Sequence, residues 1–164
     1  MDKTYVDTKN QFSAWLENEA DRFEVGLVRV VLPHLFGRGD QPTRFIPRLL
    51  KQIQMGETVE ISNAREIWPL TSFKDVIGHI NNISQFFQDP EKLYLFPFHD
   101  VSLLDFAELA IDISGSRSGI NQMENAQGLS ALPKLSLSEQ PILIEMSQTP
   151  LDVSIAGIFA KNQL

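Results

Sequence analysis

The chain has 164 residues, 43% of them hydrophobic, and 21 acidic against 14 basic side chains give it a formal net charge of -7. That is enough apolar chain to bury one domain's core, while an acidic balance without any basic run argues against a nucleic-acid backbone or an anionic membrane as partner. The absence of cysteine excludes disulfides, thiolate metal sites and a cysteine nucleophile. The first residues lack the apolar stretch of a secretory signal and no apolar run approaches the roughly 18 residues of a membrane span, so a cytoplasmic location is expected.

In chain order, Asp2 or Thr4 can cap a helix that runs to about Arg22 and brings Tyr5, Lys9, Phe12, Leu16 and Phe23 near one stripe. Tyr5 and Lys9 stand one turn apart, so their side chains are neighbours. A phenol with a pKa of about 10 moves protons poorly at neutral pH, and an ammonium beside it favours the phenolate and brings it toward the working range. Such pairs are common on helix surfaces, so the catalytic reading depends on the segments downstream of this helix. The β-branched run from Val25 to Leu32 has the pattern of a strand covered on both faces in a parallel sheet. Pro33 ends it, and the Gly- and Pro-rich residues 33–42 form the loop at its carboxyl end, where open α/β sheets place ligands.

A helix from Phe45 to Met55 comes next, with Pro47 tolerable in its first turn and Gly56 ending it. Residues 58–61 read as a short strand and 62–71 as irregular chain. Ser72 caps a helix over 73–87, residues 93–96 form a strand, and Ser102 caps a helix over 103–113 that Gly115 closes. Residues 116–138, rich in Gly, Asn, Gln and Ser, are expected to be a mobile connection. A strand within 141–146 and a last helix over 152–161 complete an α/β chain.

Five segments in this order resemble the extended short-chain dehydrogenase/reductases that act on nucleotide sugars. The Tyr-Val-Asp-Thr-Lys of residues 5–9 is similar to their Tyr-x-x-x-Lys, and residues 32–40, with Pro33, His34, Leu35, Phe36 and Gly37, to their Leu-x-Asn-Val-Tyr-Gly-Pro-Gly loop. Residues 44–50 resemble the Phe-Ile-Pro helix start, residues 73–76 the Val-x-Asp-Val, and residues 101–109 the Val-Ser-x-x-Glu-Leu segment. The resemblance implies the carboxyl-terminal half of a Rossmann-like doubly wound fold over residues 1–42, and the small substrate-binding subdomain over residues 43–164.

It further implies that Tyr5 is the general acid/base and that Lys9 holds the nicotinamide ribose of NAD or NADP, with Pro33 and Leu35 also touching the dinucleotide. A nucleotide sugar is the implied substrate, with His34, Phe45 and Arg65 its candidate contacts, and a homodimer through the first helix the implied assembly. The sequence departs from the family where His34 replaces an Asn, and where Trp68, Pro69 and Leu70 stand in place of Arg-Asp-Phe, leaving Arg65 as the nearest substitute guanidinium. No Gly-x-Gly-x-x-Gly turn is present to cradle a pyrophosphate. The expectation is a fragment that lacks the family's amino-terminal half; the alternative is a stand-alone, non-catalytic fragment that keeps only oligomerisation and partial ligand-binding surfaces. Two other features carry little weight: the Arg38-Gly39-Asp40 tripeptide spells an integrin motif in a chain without a secretory signal, and His34, His79 and His99 lack metal-ligand spacing.

Without a phosphate seat, the chain should hold NAD(H) or NADP(H) very weakly. Calorimetric titration is expected to show no saturation at millimolar dinucleotide, and tight stoichiometric binding would overturn the resemblance-based reading of this chain as a half.

Overall fold

The computed structural model describes residues 3–81, 85, 93–123 and 141–160. Helix α1 (Lys3–Arg22) leads into three small sheets. The first has the order β1-β5-β8, with β1 (Arg29–Val31) parallel to β5 (Leu93–Leu95) and β5 parallel to β8 (Ile142–Leu143). The second has the order β2-β4-β6, in which β2 (His34–Phe36) runs parallel and β6 (His99–Ser102) antiparallel to the central β4 (Ile67–Ser72). The third pairs β3 (Val59–Ser62) with β7 (Ile120–Met123) in parallel.

Two prolines direct the chain between the first two sheets. Pro33 separates β1 from β2, Pro97 separates β5 from β6, and proline has no N–H for a ladder. The last rung of the first sheet is the Phe96 amide donating to the Val31 carbonyl at 3.0 Å. Beyond it the two strands part, and β4 enters between their continuations.

The helices obey local rules. Helix α2 (Phe45–Gln54) buries Ile46, Leu49, Leu50 and Ile53, one stripe at helical spacing, and Pro47 lies in its first turn, where a missing N–H costs nothing. Helix α3 (Phe73–Ile80) begins at Ser72, whose hydroxyl accepts from the Asp75 amide at 3.1 Å. Helix α4 (Leu103–Ser114) begins at Ser102, which accepts from the Asp105 amide at 3.0 Å, and ends at Gly115 in the left-handed conformation, φ 66°. Helices α2 and α4 with α5 (Leu151–Phe159) enclose a core in which Phe36, Ile53, Leu70, Phe106 and Ile155 are wholly buried. Phe36 meets Phe106 edge-to-face at 5.7 Å.

Several sequence expectations need correction. The strand expected over Val25 to Leu32 is confined to Arg29–Val31, with Val25 62% and Leu32 41% exposed, so neither end is covered. The loop expected over 33–42 contains β2, the irregular 62–71 contains most of β4, and the connection expected over 116–138 contains β7. Strand β6 has no counterpart among the expected elements. Helix α3 stops at Ile80; of the rest of the helix expected over 73–87, residues 82–84 and 86–87 lie outside the described residues, as do 124–138 of the expected connection. The strand expected within 141–146 is two residues long.

Phe106 and Phe12 offer a contrast in burial, 0% against 54% exposed. Phe106→Ala should lower unfolding free energy by about 3–5 kcal/mol, and Phe12→Ala by under about 0.5 kcal/mol, as read by urea denaturation of the dilute chain.

Candidate functional site

Tyr5 and Lys9 lie on an exposed face of α1, with Tyr5 56% exposed and the Lys9 Nζ 5.8 Å from its ring centroid. The spacing therefore brings the two together as the sequence suggested. Around them α1 presents further open apolar groups: Phe12 stacks on Trp15 at 5.7 Å, Trp15 is 53% exposed, and Phe23, just past the end of the helix, is 64% exposed. A polar tie from α1 to the first sheet is the Arg29–Glu17 ion pair at 2.8 Å. Pro33 is buried at the passage from β1 to β2, and Leu35 is half-buried within β2.

The second sheet places an aromatic cluster at the edge of the core. His34 on β2 is paired with Leu70 on β4, and Leu70 in turn with His99 on β6, so the three stand in one row across one face. Two residues before Leu70, and hence on the same face, Trp68 stacks on His34 with ring centroids 4.6 Å apart and planes at 21°. Phe45 of α2 leans on Trp68 at 5.7 Å. The buried His34 Nε2 and Trp68 Nε1 have no hydrogen-bond partner among the described residues, an arrangement that a ligand or water satisfies in most proteins.

Phe45 and Trp68 form one wall of a cavity of about 640 Å³, whose other walls include Arg48, Glu60, Asn63, Glu66 and Met123. Its size suits a small organic ligand; aromatic faces offer stacking and the polar rim offers donors and acceptors of both charges. Arg65, expected as a substrate contact, is exposed between β3 and β4 and does not line this cavity. Arg48 does. Trp68 enters the sequence reading only as a departure from the family's Arg, and Arg48, one turn along from Arg44 in the Phe-Ile-Pro segment, could have been found from helical spacing.

A loop and a strap complete the surroundings. Gly37 and Gly39 have φ of 143° and 86°, the region glycine alone enters cheaply, and a Cβ on Gly37 would lie 3.4 Å from the Phe73 ring. Asp40 accepts from the Gln41 amide at 2.8 Å and pairs with Arg44 at 3.2 Å, its side chain only 4% exposed; the Arg-Gly-Asp tripeptide therefore does not present its carboxylate to a receptor. Residues 147–149 are tied down at three points. The Ser147 carbonyl meets His79 Nε2 at 3.0 Å, the Thr149 carbonyl meets His99 Nε2 at 3.0 Å, and the Thr149 amide and hydroxyl both donate to Asp75 Oδ1. Among the described residues no group of three or more acidic or histidine side chains is placed to hold a metal ion, and no helix is long and apolar enough to cross a membrane.

The sequence matches no protein-family model and no curated protein. Solved structures do match. UDP-glucose 4-epimerase from Thermotoga maritima, solved with UDP-glucose, superposes with a TM-score of 0.74 at 12% identity over 94% of this chain and 52% of that one. UDP-glucuronic acid 4-epimerase from Bacillus cereus, in complex with NAD, gives 0.72 at 15% identity over 95% and 50%. The chain has the fold of about half of such an enzyme. A dTDP-glucose 4,6-dehydratase from Bacillus anthracis with NAD extends the likeness, with a TM-score of 0.66 at 9% identity over 86% of this chain and 46% of that one. At these identities it is the epimerase-type fold that is shared, and the chain spans about half the length of the structures it matches. The α/β class and the Rossmann-like, partial sheet expected from the sequence hold.

Burial holds the His34 imidazole below its ordinary value of 6.5, with the Arg44 guanidinium adding to the effect and Glu66 opposing it. Just below pH 6.5 the unfolded chain takes up a proton there that the folded chain refuses, so this group's stability is complete above that pH and falls as pH drops toward the folded pKa. His34→Phe keeps the stack and removes the titration. Between about pH 7.5 and about pH 5.5 its Tm should fall less than that of the parent chain; equal losses in a scanning-calorimetry comparison would remove His34 as a contributor.

Proposed function

We propose that this chain is the carboxyl-terminal part of an NAD(P)-dependent enzyme acting on a nucleotide sugar, an epimerase, dehydratase or reductase, and that Tyr5 is its general acid/base. The observation that carries the reading is the match of almost the whole chain to one half of the nucleotide-sugar epimerase fold. The exposed Tyr5–Lys9 pair and the aromatic cavity at Phe45 and Trp68 support it. In this reading residues 1–42 supply the end of the dinucleotide-binding region and residues 43–164 the substrate-binding region, although β1 of the first shares a sheet with β5 and β8 of the second.

The residues present fit the nicotinamide-ribose end of NAD or NADP and not its pyrophosphate. Tyr5 and Lys9 are open and adjacent, whereas a glycine-rich turn at a helix start is missing from the sequence. When bound, the nicotinamide exchanges hydride with the sugar carbon. The chain's own part is proton handling and positioning. Tyr5 Oη takes the proton from the sugar hydroxyl, or returns it, with Lys9 beside it. Phe45 and Trp68 stack the planar end of the substrate, with His34 backing the Trp68 ring and Arg48 as the nearby cation. Arg65, outside the cavity wall, is a weaker candidate.

A second reading rests on α1. Its open Phe12 and Trp15, with Phe23 just past its end, are the kind of apolar surface that a second copy covers, and a homodimer through this helix would serve either a catalytic parent or a non-catalytic fragment. The two readings separate by activity. With the upstream half supplied in one chain or by complementation, Tyr5→Phe should lower turnover by roughly 10²- to 10⁴-fold with little change in KM, while Phe12→Ala with Trp15→Ala should weaken dimerisation in sedimentation. Near-full activity of Tyr5→Phe would refute the assignment of Tyr5. A complemented protein that dimerises and never turns over any nucleotide sugar would leave the non-catalytic reading.

A further inference from the structure

A second cavity, of about 550 Å³, opens between α3 and α5 and shares no lining residue with the first. Phe36, Phe73, Ile77, Val153 and Ile158 make its wall apolar. Each helix carries an exposed glycine on that wall, Gly78 on α3 and Gly157 on α5, and a Cβ built on either meets nothing within 4 Å. Glycine is the poorest ordinary residue in a helix interior, so two of them facing one gap are not explained by helix stability or by close packing. Ile77 and Val153 remain 66% and 51% exposed beside it.

The polar residues of this wall are two cations, Arg38 and Lys74, and three hydroxyl residues, Ser72, Thr149 and Ser154. Arg38 and Lys74 line the cavity and form no ion pair among the described residues, two unneutralised cations in a chain of net charge -7. Ser154 Oγ is sealed behind the same wall, with almost no accessible surface and no hydrogen-bond partner among the described residues. A polypeptide or second copy covering the groove would bury the apolar wall but would need its own acid at the rim. One small molecule meets both demands: an apolar body for the gap and an anionic head for Arg38 and Lys74. The volume lies within the roughly 300–1,000 Å³ of small-molecule sites.

We propose that the α3–α5 cavity binds a small amphiphile carrying a single carboxylate on an apolar chain, with the carboxylate held by Arg38 and Lys74. The test uses the whole chain and two probes of equal length, decanoate and decanol, below micellar concentration. In calorimetric titration decanoate should bind one to one and roughly ten-fold more tightly than decanol, a preference sized by two exposed cations and weakened by salt. Arg38→Gln with Lys74→Gln should erase that preference while decanol binding persists. Gly78→Leu and Gly157→Leu, each filling empty space, should abolish binding of both probes while the chain melts no lower than the parent, since leucine is the better helix former. Should either leucine variant fail to fold, the Arg38 and Lys74 comparison still decides. Equal affinity for the two probes, binding that survives both folded leucine variants, or no saturable decanoate binding would each overturn the proposal; the last would leave the groove to a polypeptide.

Discussion

Neither Pro33 nor Pro97 can donate to a strand ladder, and each stands where a strand leaves one sheet for another. Everything near the first cavity depends on that double handover. Adjacent in the first sheet, β1 and β5 continue as β2 and β6 with room between them for β4. Because β4 takes the centre, Leu70 is gripped between His34 and His99 and is wholly buried. Trp68 is then held against His34, and α2 delivers Phe45 to the same spot. The aromatic wall is thus a product of strand order, not of any one segment's preference.

What could be read from the sequence was what local chemistry decides. The helix starts at Ser72 and Ser102, the stop at Gly115 and the stripe of α2 depend on residues within a turn of one another. The missed strands β2, β4 and β6 are short, and β2 and β4 sit beside or contain proline; alternation over so few positions does not rise above loop composition. Strand β7 was hidden for another reason: its Ile-Asn-Gln-Met sequence is polar and exposed along most of its length and is a strand because β3 is there to pair with it.

The candidate site divides along the same line. Tyr5 and Lys9 are a local pair, so spacing alone placed them together. The cavity collects residues from α2, β3, β4, α4 and β7, and no window of sequence holds that set. Trp68 is the instructive residue. Seen as a departure from an expected guanidinium it looks like a lost contact; seen on β4 it is a stacked ring with an unsatisfied N–H beside a cavity. A fold shared with about half of each matched structure at low identity is consistent with different side chains lining the cavity, since architecture constrains the core far more than the site grafted on it.

The ladders also set a timetable. Among the described strands no two neighbours in sequence pair with each other: Arg29 waits for Leu93, His34 for Leu70, Val59 for Ile120 and Tyr94 for Ile142. During synthesis β1 and the apolar stretch around it therefore lack their β5 partner until the chain has been made past Leu95. Helices α2 and α4 can form as they emerge, but the sheets close only across long loops, which is the slow and aggregation-exposed way to fold. In this molecule the same arrangement that gathers distant residues into a cavity also delays the pairing of its strands.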